Sequence, residues 1–248
     1  MSTTTENEHD PWAPYRRRYQ DGQWRDRIFH DLILAEARAL GDRPTIVDIG
    51  CGSGLDGDVP LQRSIARAAG RFIGIEPDPT VALGDYFTET HRCRFEAAPL
   101  EPGSVHVAYA AMVLEHLSEP QAFWDKLGEV LVPGGVFWGL TLDGRHPFCA
   151  ASSWLERLGL KDAYLNWRYG RRGVDRYENY PTYYRSNTPE QIGRLAAAFR
   201  SCETINFARV GQYSDYLPRS LRPLAHWHDR RRIRRGRPGT ILAVRAVK

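Results

Sequence analysis

Two periods of apolar residues run through the chain. Thr45 to Ile49 (TIVDI) and Arg71 to Ile75 (RFIGI) are short β-branched runs that end in polar or glycine-rich stretches, the pattern of buried strands. Between them Leu61 to Ala69 is compatible with a helix. Strand, glycine loop, helix and strand in that order predict a βαβ unit in a parallel sheet. Further strands are predicted at Arg92 to Ala97, Val105 to Ala110, Gly135 to Leu142, Glu203 to Val210 and Thr240 to Val247. An amphipathic helix over Trp24 to Leu40 is expected to pack across the sheet. Ser118 to Gln121 (SEPQ) and Thr188 to Gln191 (TPEQ) both read as capping boxes with proline in the first helical turn.

Two stretches fall outside this alternation. Asp143 to Asn187 follows the predicted fifth strand and is crowded with Phe148, Trp154, Tyr164, Trp167, Tyr169, Tyr177, Tyr180, Tyr183 and Tyr184. Ligands of open α/β sheets sit at the carboxyl ends of the strands, so this helical, aromatic insertion is expected to act as a substrate lid, with Tyr183 and Tyr184 as lining residues. The second, Gln212 to Gly239, separates the last two strands and contains Asp229 to Arg237 (DRRRIRRGR).

Composition narrows the class without naming it. A chain of 248 residues that is 42% hydrophobic and 26% charged fits one α/β domain, here residues 45–248 behind a tail and leading helix at 1–44. The polar, acidic start and the absence of a long apolar run predict neither a signal peptide nor a membrane span. Four scattered cysteines, Cys51, Cys93, Cys149 and Cys202, fit neither a disulfide framework nor a zinc site; no metal is expected, and a reducing cytoplasm is the expected setting. A net charge of +4 is too small to announce a nucleic-acid binder.

The chemistry concentrates in Asp48-Ile-Gly-Cys-Gly-Ser-Gly54, where a strand turns toward a helix. Glycine there permits positive φ and close approach of a ligand to bare backbone. The same residues contain Gly52-Ser-Gly-Leu-Asp-Gly57, a literal GxGxxG that would suggest a dinucleotide. That reading starts two residues past the strand and leaves Asp48 without a purpose, whereas a cationic amino-acid cofactor gives Asp48 an ammonium to face. Glu76 follows Gly54 by 22 positions, at the end of the second strand, where a carboxylate can accept hydrogen bonds from both ribose hydroxyls of a nucleoside.

With these residues in view, the chain resembles the class I S-adenosylmethionine-dependent methyltransferases. Val47-Asp-Ile-Gly-Cys-Gly-Ser-Gly54, Gly74-Ile-Glu-Pro-Asp78, Val113-Leu-Glu-His-Leu117 and Leu131-Val-Pro-Gly-Gly135 look like their successive motifs, and the small-molecule branch of ubiquinone and menaquinone biosynthesis is the one most resembled. The resemblance implies a doubly wound, Rossmann-like seven-stranded sheet with its last strand antiparallel. It also implies that Asp48, Gly50, Gly52 and Gly54, with Cys51 among them, hold the methionine part of S-adenosyl-L-methionine. Glu76, beside Pro77, would hold the ribose, and Glu96 or Ala97 the adenine edge. One departure stands out: where relatives usually read Ser-Phe-Asp, this chain has Ser104-Val105-His106.

The expected reaction is in-line methyl transfer to an oxygen, nitrogen or carbon atom of a small-molecule acceptor. It requires alignment and exclusion of water, plus a general base for hydroxyl or protonated amine acceptors. His116 and His146 are the candidate bases. The alternatives are an enzyme acting on RNA or on a membrane-associated lipid precursor, and a non-catalytic scaffold of the same fold. A solvated helix end is the plain reading of the arginine run. Because Leu217, Leu221, Leu224 and Trp227 precede it at near-helical spacing, a peripheral membrane contact through 217–237 is the sharper one. No nucleic-acid partner is expected.

Overall fold

The computed structural model describes residues 10–41, 43–170 and 180–248, without the side chain of Asp215; the tail before Asp10, together with Tyr177 and its neighbours at 171–179, lies outside them. Seven strands form one sheet: β1 (Thr45–Ile49), β2 (Arg71–Ile75), β3 (Glu89–His91), β4 (Val105–Ala111), β5 (Leu131–Leu142), β6 (Ser201–Phe207) and β7 (Ile241–Val247). Their order is β3-β2-β1-β4-β5-β7-β6, and β7 runs antiparallel to both β5 and β6 while the other pairs are parallel. This is the expected Rossmann-like architecture with its last strand reversed.

Each strand feeds two cores because successive side chains point to opposite faces. Val47 and Ile49 pack into a cluster with Phe123, Trp124 and Ile192, which brings α4 (Pro120–Val130) and α7 (Pro189–Leu195) onto one face. Ile46 and Tyr109 join the other cluster with Tyr19, Phe29, Ile33 and Ile65, so α1 (Ala13–Gln20), α2 (Arg25–Ala39) and α3 (Val59–Ala68) cover the opposite face. A fully buried Ile or Phe contributes about 1.5–3 kcal/mol, so these two layers carry most of the stability. Glu36 of α2 adds a clamp, accepting from the Trp138 indole and from two nitrogens of Arg245 on β7.

Three expectations about elements are corrected. The stretch Arg92 to Ala97 is not a strand: β3 stops at His91, and Phe95–Ala97 form a 3-10 turn whose Phe95 ring packs 5.1 Å from Phe123. The apolar draw of that core outweighs pairing at the sheet edge. Ser118 caps nothing, because Pro120 opens the helix and makes Glu119 the cap position; Gln121 donates to Asp125 at 2.8 Å instead. β5 begins at Leu131, four residues before the expected start, with a register shift opposite Val105 and Val107. The Thr188 capping box is formed in full, with Gln191 answering through its side chain.

Among the described residues, both extra stretches contain helices. α5 (Pro147–Arg157) and α6 (Lys161–Tyr169) begin the aromatic insertion, which returns as an extended strip at 180–187, and α8 (Arg222–Arg234) carries most of the arginine run. Among the described residues no helix is long and apolar enough to cross a membrane.

Candidate functional site

The glycine turn leaves the carboxyl end of β1 with φ of +69°, +47° and +115° at Gly50, Gly52 and Gly54. A Cβ on Gly50 would stand 2.6 Å from a methyl of Val113, and one on Gly54 would lie 2.7 Å from the backbone of Asp58 and Val59. At Gly52 the added carbon would meet only the Gly50 carbonyl oxygen at 3.9 Å, so this glycine faces open space. The turn is fastened to β2: the amides of Gly50 and Cys51 donate to the Ile75 carbonyl, at 2.8 and 3.0 Å. Glu76, the next residue, is buried, and its carboxylate accepts from the amides of Gly52 and Asp78, each at 3.0 Å. Parallel pairing of β1 and β2 thus brings together residues 24 positions apart.

Asp48 lies beneath this turn. One of its oxygens accepts from the Tyr109 hydroxyl on β4 and from the Gln62 amide on α3, both at 2.6 Å. Gln62 is itself fully buried, donates also to the Cys51 carbonyl at 2.7 Å and receives the Tyr86 hydroxyl. Burial raises the Asp48 pKa to about 7; its two hydrogen bonds oppose that rise and the nearby Glu76 carboxylate adds to it. A cation arriving at the turn would therefore find a carboxyl group that gives up its proton readily near neutrality. On the outer side Arg25 forms two hydrogen bonds to Asp56, pinning the start of α2 to the turn.

The polar floor continues across the strand ends. Glu115 is buried and accepts from the Thr141 hydroxyl at 2.7 Å, while its backbone carbonyl receives the amides of Tyr183 and Tyr184. His116 sits in the 3-10 turn Leu114–His116 beyond β4 rather than at the strand's end. Its Nδ1 lies 2.9 Å from the Pro181 carbonyl. A carbonyl only accepts, so Nδ1 carries hydrogen and Nε2 keeps the basic lone pair. Tyr180 stacks edge-on against His116 and donates to Asp78 at 3.0 Å, so the returning strip spans from the Glu76 corner to the fourth strand. Tyr183 is exposed; Tyr184, at φ +51°, is turned inward, where burial beside Cys149 raises its pKa.

His146 is in a different situation. It caps α5, its Nδ1 accepting from the Phe148 amide at 3.2 Å, and its ring lies against Tyr213. Burial, with Arg232 and His228 nearby, lowers its pKa to about 4, which makes it a weak proton acceptor at neutral pH. Glu96 is half-buried and Ala97 exposed in the 3-10 turn beyond β3, and Pro77 is exposed beside Glu76. His106 accepts from the Thr45 amide at the amino end of β1, opposite to this site. Sequence reasoning missed Gln62, Tyr109, Arg25 and Glu115. Two of them left a signal: Gln62 is a polar residue in the buried stripe of α3 between Leu61 and Ile65, and Glu115 stands within the motif Val113–Leu117.

The geometry separates the two cofactor readings. A dinucleotide pyrophosphate needs the bare amides of a helix N-terminus. Here α3 starts at Val59, and the Asp58 carboxylate already takes the Leu61 amide, placing a negative charge where a phosphate would sit. A nucleoside with a cationic amino-acid arm suits the residues present: Glu76 for the ribose, open backbone at Gly52, and the Asp48 carboxyl below.

Comparison with known proteins agrees. Residues 47–139 match the model described as a methyltransferase domain. An uncharacterized methyltransferase of Mycobacteroides abscessus is 32% identical over 111 residues, 41% of this chain and 40% of that protein. A tRNA U34 carboxymethyltransferase of Actinobacillus pleuropneumoniae is 26% identical over 197 residues, 61% of this chain and 57% of that protein. The chain thus spans about half the length of the curated relatives it matches. The geranyl diphosphate C-methyltransferase of Streptomyces coelicolor, solved with S-adenosyl-L-homocysteine, superposes with a TM-score of 0.52 at 14% identity, covering 89% of this chain and 76% of that one, a likeness of fold.

Proposed function

We infer that this chain, whose residues 47–139 match a methyltransferase domain, is a class I S-adenosylmethionine-dependent methyltransferase that transfers the methyl group of that cofactor to an oxygen, nitrogen or carbon atom of a small-molecule acceptor. The observation that carries this reading is the Glu76 carboxylate held 3.0 Å from the Gly52 amide, beside the one glycine of the turn that faces open space. Bound there, the cofactor supplies an activated methyl on a sulfonium, so the protein's task is alignment and exclusion of water. Glu76 would take the ribose hydroxyls and Asp48 would sit beneath the amino-acid arm. Of the two histidines, His116 is the better base, because its Nε2 is free of the Pro181 contact, whereas His146 spends Nδ1 on a helix cap. The strip at 180–187 covers the strand ends from Asp78 to Glu115, which suits an enclosed acceptor of modest size. The narrower kinship with quinone-biosynthesis enzymes rests on sequence motifs alone.

Calorimetric titration with S-adenosyl-L-homocysteine tests the reading. Saturable binding is expected, weakened by Glu76→Ala by about 1.5–3 kcal/mol, the range of hydrogen bonds to a charged group. A folded wild-type protein that fails to bind would overturn it. A second reading, action on RNA, draws support from the tRNA-modifying relative and from the arginines of α8.

A further inference from the structure

Helix α8 has two unlike faces. Ala225, His226, Asp229, Arg232 and Ile233 are half-buried, and Asp229 accepts the Gly211 amide at 2.8 Å, so this stripe holds the helix to the domain. The other face opens with Leu224 and Trp227, 62% and 50% exposed, and continues with Arg230, Arg231, Arg234 and Arg235, all exposed. Among the described residues none of these four arginines forms an ion pair. Arg231 lies over the Trp227 ring, 5.5 Å from its centre. Two further indoles are exposed elsewhere, Trp154 on α5 and Trp167 on α6, at 61% and 73%. α6 reaches the segment leading into α8 through the Tyr164 hydroxyl, which donates to the Tyr216 carbonyl.

A helix end that merely faces water gains nothing from an outward leucine and tryptophan, and a core role is excluded by their exposure. Four cations without ion partners, clustered round two exposed apolar side chains, form a basic surface that anionic head groups attract, with the apolar side chains at the level of the head-group boundary. We propose that the outer face of α8 docks on an anionic lipid bilayer. The guanidinium groups take the lipid phosphates, and Leu224 and Trp227 enter the boundary between head groups and acyl chains. Nucleic acid would use the arginines and could stack on Trp227, yet would leave Leu224 without a partner. The inference does not depend on the acceptor, and cofactor affinity keeps the two questions apart.

The test is flotation of the full chain with vesicles of phosphatidylcholine alone and of phosphatidylcholine mixed with phosphatidylglycerol. Partitioning into the anionic vesicles only is expected, and raising the salt should release the protein. Replacing Arg230, Arg231, Arg234 and Arg235 with Gln should lower partitioning more than a hundredfold, from about fivefold per arginine near an anionic surface. Leu224→Ser with Trp227→Ser should lower it about tenfold or more. Affinity for S-adenosyl-L-homocysteine should stay unchanged in both variants, which also reports that they fold. Failure of the wild type to float with anionic vesicles would overturn the proposal, as would equal flotation with neutral ones. So would tight binding of a transfer RNA that the arginine variant loses and the Leu224/Trp227 variant keeps, because that pattern marks a nucleic-acid surface.

Discussion

The glycine turn after β1 and the strip at 180–187 both lie over the carboxyl ends of the strands, and they are held in opposite ways. In the turn the polar groups are satisfied within the domain: Glu76 by two amides, Gln62 by Asp48, Cys51 and Tyr86, Asp56 by Arg25. The strip is anchored on one side only in sequence. Tyr184, Ser186 and Asn187 turn inward, while Pro181, Tyr183 and Arg185 face out. A cradle in which each change strands a buried partner has little freedom to vary. A cover with every second residue exposed can change its outer side chains without disturbing its anchor.

The largest effect is expected where the cradle is open. Gly52→Arg puts a long side chain, at φ +47°, into the open space beside Gly52. Binding of S-adenosyl-L-homocysteine should be lost altogether in titration calorimetry. Thermal unfolding should move by a few degrees at most, since no core group is displaced. Retained binding would mean that the cofactor does not lie against Gly52.

Next in size is the floor. Asp48→Ala leaves the Tyr109 hydroxyl without an acceptor and the Gln62 amide with only the Cys51 carbonyl, and should cost about 1–3 kcal/mol in denaturant unfolding at pH 6. Asp48→Asn keeps an acceptor but cannot ionise. Because burial raises the folded pKa to about 7 from an ordinary value of 3.8, the folded state binds the proton more tightly. Wild-type stability from this group is therefore full below about pH 4 and lost as pH rises to 7, so the Asn variant should gain on wild type across that window. A flat difference between pH 4 and 7 would show that Asp48 does not titrate there. If Asp48 faces the cofactor's ammonium, binding at pH 7 should also release protons, seen as a heat that depends on the buffer.

These contrasts follow what could be read beforehand. β1, β2 and the glycine turn were legible because their signals are local: β-branched runs, and glycines where φ must be positive. Glu76 was legible because parallel pairing places the end of β2 beside the end of β1. The floor was not, since Tyr109 and Gln62 meet Asp48 only after three elements pack. β3 was misplaced for a related reason: Phe95 belongs to the core with Phe123, a contact that no pattern within 92–97 announces. Which nitrogen of each histidine carries hydrogen was invisible, because it turns on one hydrogen bond each, to Pro181 and from Phe148.

His146 lies between the two regimes, buried but titratable. Its pKa falls from 6.5 to about 4 in the folded state, chiefly through burial. The unfolded chain then binds more protons between those values, so stability from this group is full above about pH 6.5 and lost as pH falls toward 4. His146→Asn keeps a good helix cap that does not titrate. It should differ from wild type by about 1 kcal/mol or less at pH 7.5 and be the more stable protein at pH 5. Equal acid sensitivity of the two would place the titrating group elsewhere.

The smallest effect should be at Tyr183. Its ring is exposed, and among the described residues the Arg185 guanidinium lies over it, 5.6 Å from the ring centre. The bond that fixes the strip here is the backbone amide to the Glu115 carbonyl, which any residue provides. Exposed cation–π contacts are worth about 0.5–1 kcal/mol, so Tyr183→Ala should lower stability by no more than that in denaturant unfolding. Cofactor affinity should stay within a factor of about two, a free-energy change of about 0.4 kcal/mol. Its neighbour makes the control: Tyr184 is turned inward beside Cys149, and Tyr184→Ala should cost about 2 kcal/mol or more through the cavity left behind. Should the exposed ring prove the costlier of the two to remove, the strip would be held by its outer face, and the division between a fixed anchor and a variable cover would fail.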